Sequence, residues 1–340
     1  MSETVTPVRW GVLGAAGIAL RSVIPAMQRS PWSPVVAIAS RDPGKARAAA
    51  EAHGIPRHYG AYAELLADPA VDAVYIPLPN HLHVPWSIRA AEAGKHVLCE
   101  KPIALSAAEA RELIAVRART GVLVGEAFMV RCHPRWHAAR ELARSGRIGD
   151  LRLITGHFSY FRRDRGDIRT HREWGGGALL DIGSYPVTLS RWIFGAEPVA
   201  VNALVERDPE FGIDRLTSAV LRFPAGVATF TCGGQLVLHQ HLHLLGTRGR
   251  IEVAIPFNMP ADRPSRIVVD DGRDLVGGGV ETIEFPPANP YLLQGERFSR
   301  AIRGHDTVPV ALEDSVANMA VLDALFRSGE SGSWENPARF

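Results

Sequence analysis

Short apolar runs alternate with longer amphipathic stretches through the first part of this 340-residue chain. Segments 8–13, 35–40, 71–76, 96–99 and 122–125 read as strands, because they are rich in β-branched residues and end at Gly, Pro, Asn or Asp. The pattern predicts helices from the turn at Gly14 to about Arg29, over Pro43–His53, near 61–66 and up to Ala93. A further helix starts at Ser106-Ala107-Ala108-Glu109, a capping-box spacing, and runs to about Thr120. Gly94 and Gly121 stand where left-handed C-caps belong. A short element is expected at His58-Tyr59. Strands and helices in this regular alternation build a doubly wound parallel sheet.

Past Phe128 the pattern changes. His133-Pro134 opens a helix to Arg144, stopped by Gly146. Strands then dominate, at 151–161, 198–206, 216–223, 227–234, 235–245 and 250–255, before helices near 290–303 and 313–327. The expected fold class is α/β: a parallel-sheet domain over 1–127, then an α+β domain over 128–340 with an open, mostly antiparallel sheet. The last helices are expected to pack back across the junction. Two domains suit this length, since single cores stop growing near about 250–300 residues.

Composition narrows the function classes. With 38 basic and 36 acidic residues the net charge is only +2, which argues against nucleic acid and anionic membranes as partners. No run approaches the ~20 apolar residues of a membrane span, and the first residues carry no apolar leader core. Cys99, Cys132 and Cys232 are far apart and form no CxxC pair, so free thiols in a reducing, cytoplasmic setting are expected.

The strand–turn–helix at Gly14-Ala15-Ala16-Gly17-Ile18-Ala19 has the dinucleotide-binding arrangement, in which backbone and helix N-terminus approach a pyrophosphate. Ala16 stands where the second glycine of G-x-G-x-x-G/A belongs, and Gly17 follows it. At the end of the second strand, Ser40, Arg41 and, a turn later, Lys45 suit a 2′-phosphate better than a free ribose hydroxyl, favouring NADP over NAD. Asp42 also reads as a plain cap for the helix at Pro43. The segment Pro77-Leu78-Pro79-Asn80-His81-Leu82-His83 makes a stiff loop at a strand's carboxyl end, with no acid or cysteine nearby to turn its histidines into a metal site. Glu100-Lys101-Pro102 ends the next strand, placing a lysine at the same edge.

In the second half, Gly175-Gly176-Gly177 precedes Ala178-Leu179-Leu180-Asp181-Ile182-Gly183-Ser184-Tyr185-Pro186. Three glycines permit a close approach, and Asp181 and Tyr185, four apart, share a helical face. A buried Asp–Tyr hydrogen bond is the bland reading. Pro186 should kink the helix. The basic run 161–172 reads as a solvated loop, from which Arg169, or Trp174 beyond it, can reach a pocket. His239, His241 and His243 alternate with Leu238, Leu242 and Leu244 on the opposite face, suggesting a half-polar sheet face and no metal.

In their order, the glycine turn, Ser40-Arg41, Pro79-Asn80-His81-Leu82-His83, Glu100-Lys101-Pro102 and Gly-Gly-Gly-Ala-Leu-Leu-Asp-Ile-Gly at 175–183 resemble the Gfo/Idh/MocA family (glucose–fructose oxidoreductase, inositol dehydrogenase, rhizopine catabolism) over nearly the whole chain. The resemblance implies a Rossmann domain, an open-sheet domain with the cofactor lying between them, and a cis bond after Lys101. It implies cofactor contacts from Gly14, Ala16, Gly17, Ile18, Ser40, Arg41, Lys45, Leu78, Pro79, Asn80, His83, Glu100 and Lys101. It implies substrate contacts from Lys101, Arg169, Trp174, Asp181 and Tyr185. Many members carry His where this chain has Tyr185, a variant similar to the branch of NADP-dependent D-xylose dehydrogenases, dihydrodiol dehydrogenases and deoxysugar ketoreductases. The activity so implied is hydride transfer between NADP (or NAD) and a hydroxyl-bearing carbon of a sugar or cyclic polyol. Tyr185 would handle the proton beside the charge of Lys101, Asp181 would accept from a substrate hydroxyl and orient Lys101, and Tyr160 and Phe161 would form an apolar wall. A non-catalytic nucleotide-sensing regulator, or a hydrolase using NAD as an internal redox catalyst, are the rival readings. A homodimer or homotetramer is expected, because the open sheet face needs covering.

Overall fold

The structure is a computed structural model that describes residues 5–339. The chain forms two compact units, one of residues 1–132 and 289–316, the other of residues 133–288 and 317–340. The first unit thus extends past the expected boundary at 127 and takes back a later segment.

In the first unit six strands lie in the order β3-β2-β1-β4-β5-β6, every neighbouring pair parallel. They are β1 (Trp10–Leu13), β2 (Val35–Ala39), β3 (Arg57–Tyr59), β4 (Ala73–Ile76), β5 (His96–Glu100) and β6 (Val124–Ala127). The connecting helices are α1 (Ile24–Met27), α2 (Pro43–His53), α3 (Tyr62–Ala67), α4 (His83–Glu92) and α5 (Ala107–Thr120). β1 and β4 are buried along their whole length, the pattern of strands covered on both faces. The order reverses between β1 and β4, and this switch point is where such sheets bind ligands beyond their carboxyl ends.

The caps follow the expected signals with one variation. Asp42 accepts from the Lys45 N–H at 3.1 Å, and Gly54 closes α2 in the left-handed region. Ser106 accepts from the Glu109 N–H at 3.2 Å, but the Glu109 carboxylate accepts from the Leu105 N–H, one residue beyond the reciprocal partner of a capping box. A π-helical turn over Ala19–Val23 runs straight into α1, which holds Pro25. The wider turn accommodates a residue that brings no N–H.

The second unit opens with α6 (Pro134–Arg144) and β7 (Leu151–Phe161). After α7 (Ser184–Phe194) come β8 (Ala200–Arg207), β9 (Asp214–Arg222), β10 (Val227–Gly233), β11 (Gln235–Gly246), β12 (Arg250–Ala254), β13 (Ser265–Asp270) and β14 (Val280–Phe285). They form one sheet in the order β14-β13-β12-β11-β7-β10-β9-β8, antiparallel except for β7 with β10. β13 and β14 go beyond the strands expected from sequence. Pro256, Pro260, Pro264 and Gly277-Gly278-Gly279 surround them, and β14 is an edge strand whose mostly exposed side chains carry little apolar signal. Leu242 and Leu244 are buried as expected, but Leu238 is 70 % exposed. The pairing of β11 with β7 shifts register between Gln235 and His239, and a shift there takes Leu238 off the buried face.

Residues 289–316 bring α8 (Pro290–Ile302) into the first unit, and α9 (Leu312–Ser331) follows. Phe298 packs on the Trp10 ring with centroids 5.8 Å apart, and the Trp10 indole N–H donates to Ser299 Oγ at 3.0 Å. Among the described residues no helix is long and apolar enough to cross a membrane. The three cysteines are free and buried.

Ser299→Ala leaves the buried indole N–H of Trp10 without its acceptor, a loss of about 1–3 kcal/mol. Native-state hydrogen exchange should show faster exchange at the β1 amides, with the second unit unchanged.

Candidate functional site

The loops after β1, β2, β4 and β5 leave one edge of the parallel sheet, since all four strands run the same way. Gly14 follows β1 with φ of +116°, a conformation that excludes side chains, and the Leu78 side chain stands 3.0 Å from where its Cβ would be. Ala16, Gly17 and Ile18 are half-buried around the helix start. The Arg21 guanidinium folds over Gly17, 2.7 Å from where a Cβ would sit. Sequence reading missed this arginine, whose only signal is its place one turn after the glycine turn. After β2, Ser40 is buried and accepts from the Asp42 N–H at 3.2 Å, while Arg41 and Lys45 are exposed. Arg41 lies near the Tyr62 hydroxyl; burial pushes that phenol's pKa up and the Arg41 charge pulls against it. A half-buried glycine turn and three cations fit a dinucleotide with an extra phosphate.

The β4 and β5 loops are tied together. The bond between Lys101 and Pro102 is cis, as the resemblance implied. Tyr75 on β4, fully buried, donates to Glu100 Oε1 at 2.6 Å, and Glu100 Oε2 accepts from the Lys101 N–H at 3.2 Å. Glu126 on β6 accepts from the Ile103 N–H at 2.8 Å. Pro79 and Asn80 are half-buried, and Asn80 starts a short 3-10 turn.

His83 requires a correction. Expected at the cofactor, its side chain is fully buried, with Nδ1 2.7 Å from the Pro102 carbonyl oxygen and Nε2 2.8 Å from that of Leu78. No ring atom is left to meet a ligand. Burial holds the imidazole's pKa down at about 4, outweighing the two carbonyls, so at neutral pH the ring has one N–H to donate.

In the second unit the glycine run meets protein. A Cβ on Gly176 would lie 2.5 Å from the Arg169 carbonyl oxygen, and one on Gly177, whose φ is +117°, would collide with the Asp214 carboxyl. Asp214 Oδ2 in turn accepts from the Leu179 N–H at 2.6 Å. The helix start is a π-helical turn over Leu179–Gly183 that leads into α7, so Pro186 is again met by a widened turn where a kink was expected.

Asp181 pairs with a tyrosine, and that tyrosine is Tyr160 of β7. The Tyr160 hydroxyl donates to Asp181 Oδ2 at 2.6 Å, and Arg169 Nε donates to the same oxygen at 2.9 Å. Burial and then Asp181 push the Tyr160 pKa far up, while Asp181 raises that of Arg169. The apolar wall is therefore corrected on both counts: Tyr160 is a hydrogen-bond donor, and Phe161 is 69 % exposed. Tyr185 is buried, its ring between Phe158 at 5.8 Å and Phe257 at 5.5 Å. Trp174 stacks on His171 at 4.0 Å.

The histidine strand is joined by His157 of β7, stacked 5.9 Å from His241, and His241 Nδ1 lies 3.2 Å from His239 Nε2. Among the described residues no group of histidines, cysteines and acids is arranged to hold a metal.

Asp214 supplies a pH test. Burial raises its pKa from an ordinary 3.8 to about 7, so the folded state binds this proton more tightly than the unfolded one. Its contribution to stability is complete below the ordinary value and is lost as pH rises through about 7. The advantage of wild type over Asp214→Asn in urea midpoint should therefore shrink from about pH 4 to about pH 7 and stay constant above that.

Residues 8–128 match the family model described as oxidoreductase family, NAD-binding Rossmann fold, and residues 136–252 match the GFO/IDH/MocA C-terminal domain. The chain is 51% identical over 329 residues to an uncharacterized oxidoreductase of Rhizobium meliloti, covering 96% of this chain and 98% of that one. It is 39% identical over 327 residues to a D-xylose 1-dehydrogenase (NADP(+)) of Haloferax volcanii, covering 95% and 98%. A 3-ketoreductase of Actinomadura kijaniata, solved with NADP and TDP-benzene, superposes with a TM-score of 0.88 at 31% identity, covering 95% and 98%. Two domain matches in sequence order and relatives this similar over their full lengths show that the chain belongs to the GFO/IDH/MocA oxidoreductase family.

Proposed function

We propose that this protein is an NADP-dependent sugar or cyclic-polyol dehydrogenase/reductase in which Lys101 and Tyr185 handle the proton. The observation that carries the reading is the placement of Lys101 at the carboxyl end of β5, on the edge that also carries the Gly14 turn and the Arg41 loop. Bound there, the nicotinamide would accept or supply the hydride. Arg41, with Arg21 and Lys45, would hold the 2′-phosphate and pyrophosphate charge, and the helix start at Gly17 would offer free amides.

The residues divide the remaining work by their chemistry. As an alcohol carbon loses hydride its hydroxyl proton must leave, and a phenol takes it only where the phenolate is stabilised. Lys101 supplies a cation for that purpose, and Tyr185 the phenol. Tyr160 is unsuited to the role, because burial and Asp181 keep it protonated. Its hydroxyl and Arg169 instead fix the Asp181 carboxylate, which is read as the acceptor that orients a substrate hydroxyl and Lys101. Arg169 acts through Asp181, and Trp174 remains a candidate wall of the substrate site. The sugar reading is supported by the D-xylose 1-dehydrogenase and the 3-ketoreductase among the relatives. We further propose a cytoplasmic homo-oligomer, in keeping with free thiols and an open sheet whose face carries exposed Val237 and Leu238.

The test is a screen of aldoses, including D-xylose, and keto-sugars with NADP and NAD in both directions; no turnover with any would overturn the reading. Lys101→Ala and Tyr185→Phe should each slow the chemical step by at least about 10²-fold, the usual scale for a general acid–base group, in single-turnover hydride transfer. Arg41→Ala should raise KM for NADPH about tenfold, as loss of one charged hydrogen bond implies, with NADH little affected. A preference for NAD that survives this change counts against the 2′-phosphate assignment.

A further inference from the structure

We propose that His83 and Glu126 are positioning residues for Lys101, holding the backbone on its carboxyl side so that a flexible side chain acts from a fixed root. The inference rests on Lys101 being the functional amine. Lysine carries its charge on a four-carbon stem, so a useful amine needs a rigid backbone beneath it. Yet Pro102 has no N–H, and the loop beyond β5 has left the sheet ladder.

Two buried side chains take over from the ladder. His83 at the start of α4 stands with one ring nitrogen 2.7 Å from the Pro102 carbonyl oxygen and the other 2.8 Å from that of Leu78; its single N–H donates to one of them, and the buried ring is wedged between the β4 and β5 loops. Glu126 of β6 accepts the next amide, that of Ile103. His83 is 0 % exposed and Glu126 2 %. Burying an imidazole and a carboxyl is costly unless each has work that an apolar residue could not do. Neither side chain opens toward a ligand, so that work is done on the loop. On the amino side, Tyr75 and Glu100 complete the frame.

The experiment compares His83→Ala, Glu126→Ala and the conservative His83→Gln and Glu126→Gln, using the sugar found in the screen. For the alanine variants, kcat should fall about 10–100-fold, the scale of lost supporting contacts, with the Kd for NADPH in a fluorescence titration little changed. The limb of the kcat–pH profile assigned to Lys101 and Tyr185 should move. Glu126→Gln, which keeps an acceptor for the Ile103 N–H, should recover most of the loss. Hydrogen exchange of the cofactor-free protein should quicken at 98–106 and stay unchanged elsewhere in the first unit. In a Lys101→Ala background, His83→Ala should cost nothing further, since there is no amine left to position.

Folded variants with wild-type kcat, pH profile and exchange would overturn the proposal, as would losses that simply add to that of Lys101→Ala. If Lys101→Ala itself turns over normally, the proposed function falls and the positioning role with it. If Lys101→Ala is impaired while the His83 and Glu126 variants are not, the positioning role alone falls. Should His83→Ala fail to fold, His83→Gln and the Glu126 pair decide the matter.

Discussion

A backbone N–H or carbonyl that leaves a ladder inside a protein must find another partner, and this constraint shapes both candidate functional segments. An unmet group costs about 1–3 kcal/mol, a large share of a domain's net stability. The loop carrying Lys101 and the helix start carrying Asp181 and Tyr185 meet the requirement alike. In each, a buried acid on a strand accepts the amide where the segment begins: Glu126 that of Ile103, and Asp214 that of Leu179. The chain is free to be irregular at these points because its polar groups are satisfied sideways, by side chains.

That solution requires burying a carboxyl, and its consequence depends on how far desolvation outweighs the donors around it. Asp214 and Asp208 stand at opposite ends of one turn leading into β9. For Asp214, burial outweighs the Leu179 amide, its own N–H, Arg207 and the Thr217 hydroxyl, and the carboxyl rises to about 7. For Asp208, burial is opposed by the Gln235 amide, the N–H groups of Phe211 and Glu210, and Arg163, and the carboxyl falls to about 2. The two acids face similar sets of donors, so the heavier desolvation of Asp214 separates them. Asp208 is fixed as a charge that ties β11 to the turn, whereas Asp214 is a group whose charge competes with its surroundings.

Much of the fold was legible in the order of residues. The parallel half was readable because strands covered on both faces are continuous apolar runs, and because Asp42, Ser106, Gly54 and Gly121 cap helices with local contacts. Illegible features were those set by distant partners. Edge strand β14 buries little and so shows little apolar pattern, and the register shift in β11 exposes Leu238 against the alternation that predicts it buried. The glycine run predicted a close approach but could not say to what; the answer is the Arg169 carbonyl and the Asp214 carboxyl. For the site, motif order singles out Lys101, Asp181 and Tyr185 as candidates, while it sets His83 at the cofactor because a motif says where a residue stands and nothing about which way it turns. Arg21 and Glu126 belong to no motif and were invisible.

The two tyrosines near Asp181 show why spacing alone ranks candidates poorly. Spacing along one helix suggests Tyr185 as the partner of Asp181, yet the hydroxyl that donates to Oδ2 at 2.6 Å comes from Tyr160, distant in sequence and close through the sheet. A phenol in that contact is held protonated by the carboxylate it serves, and is a poor base for the same reason that it is a good support. Tyr185 sits in a different setting, its ring packed between Phe158 and Phe257. Arg169, sharing Oδ2 with Tyr160, adds the positive charge that keeps Asp181 an acceptor. The environment thus commits the Tyr160 hydroxyl to an acid, in keeping with the proposal that gives proton exchange to Tyr185.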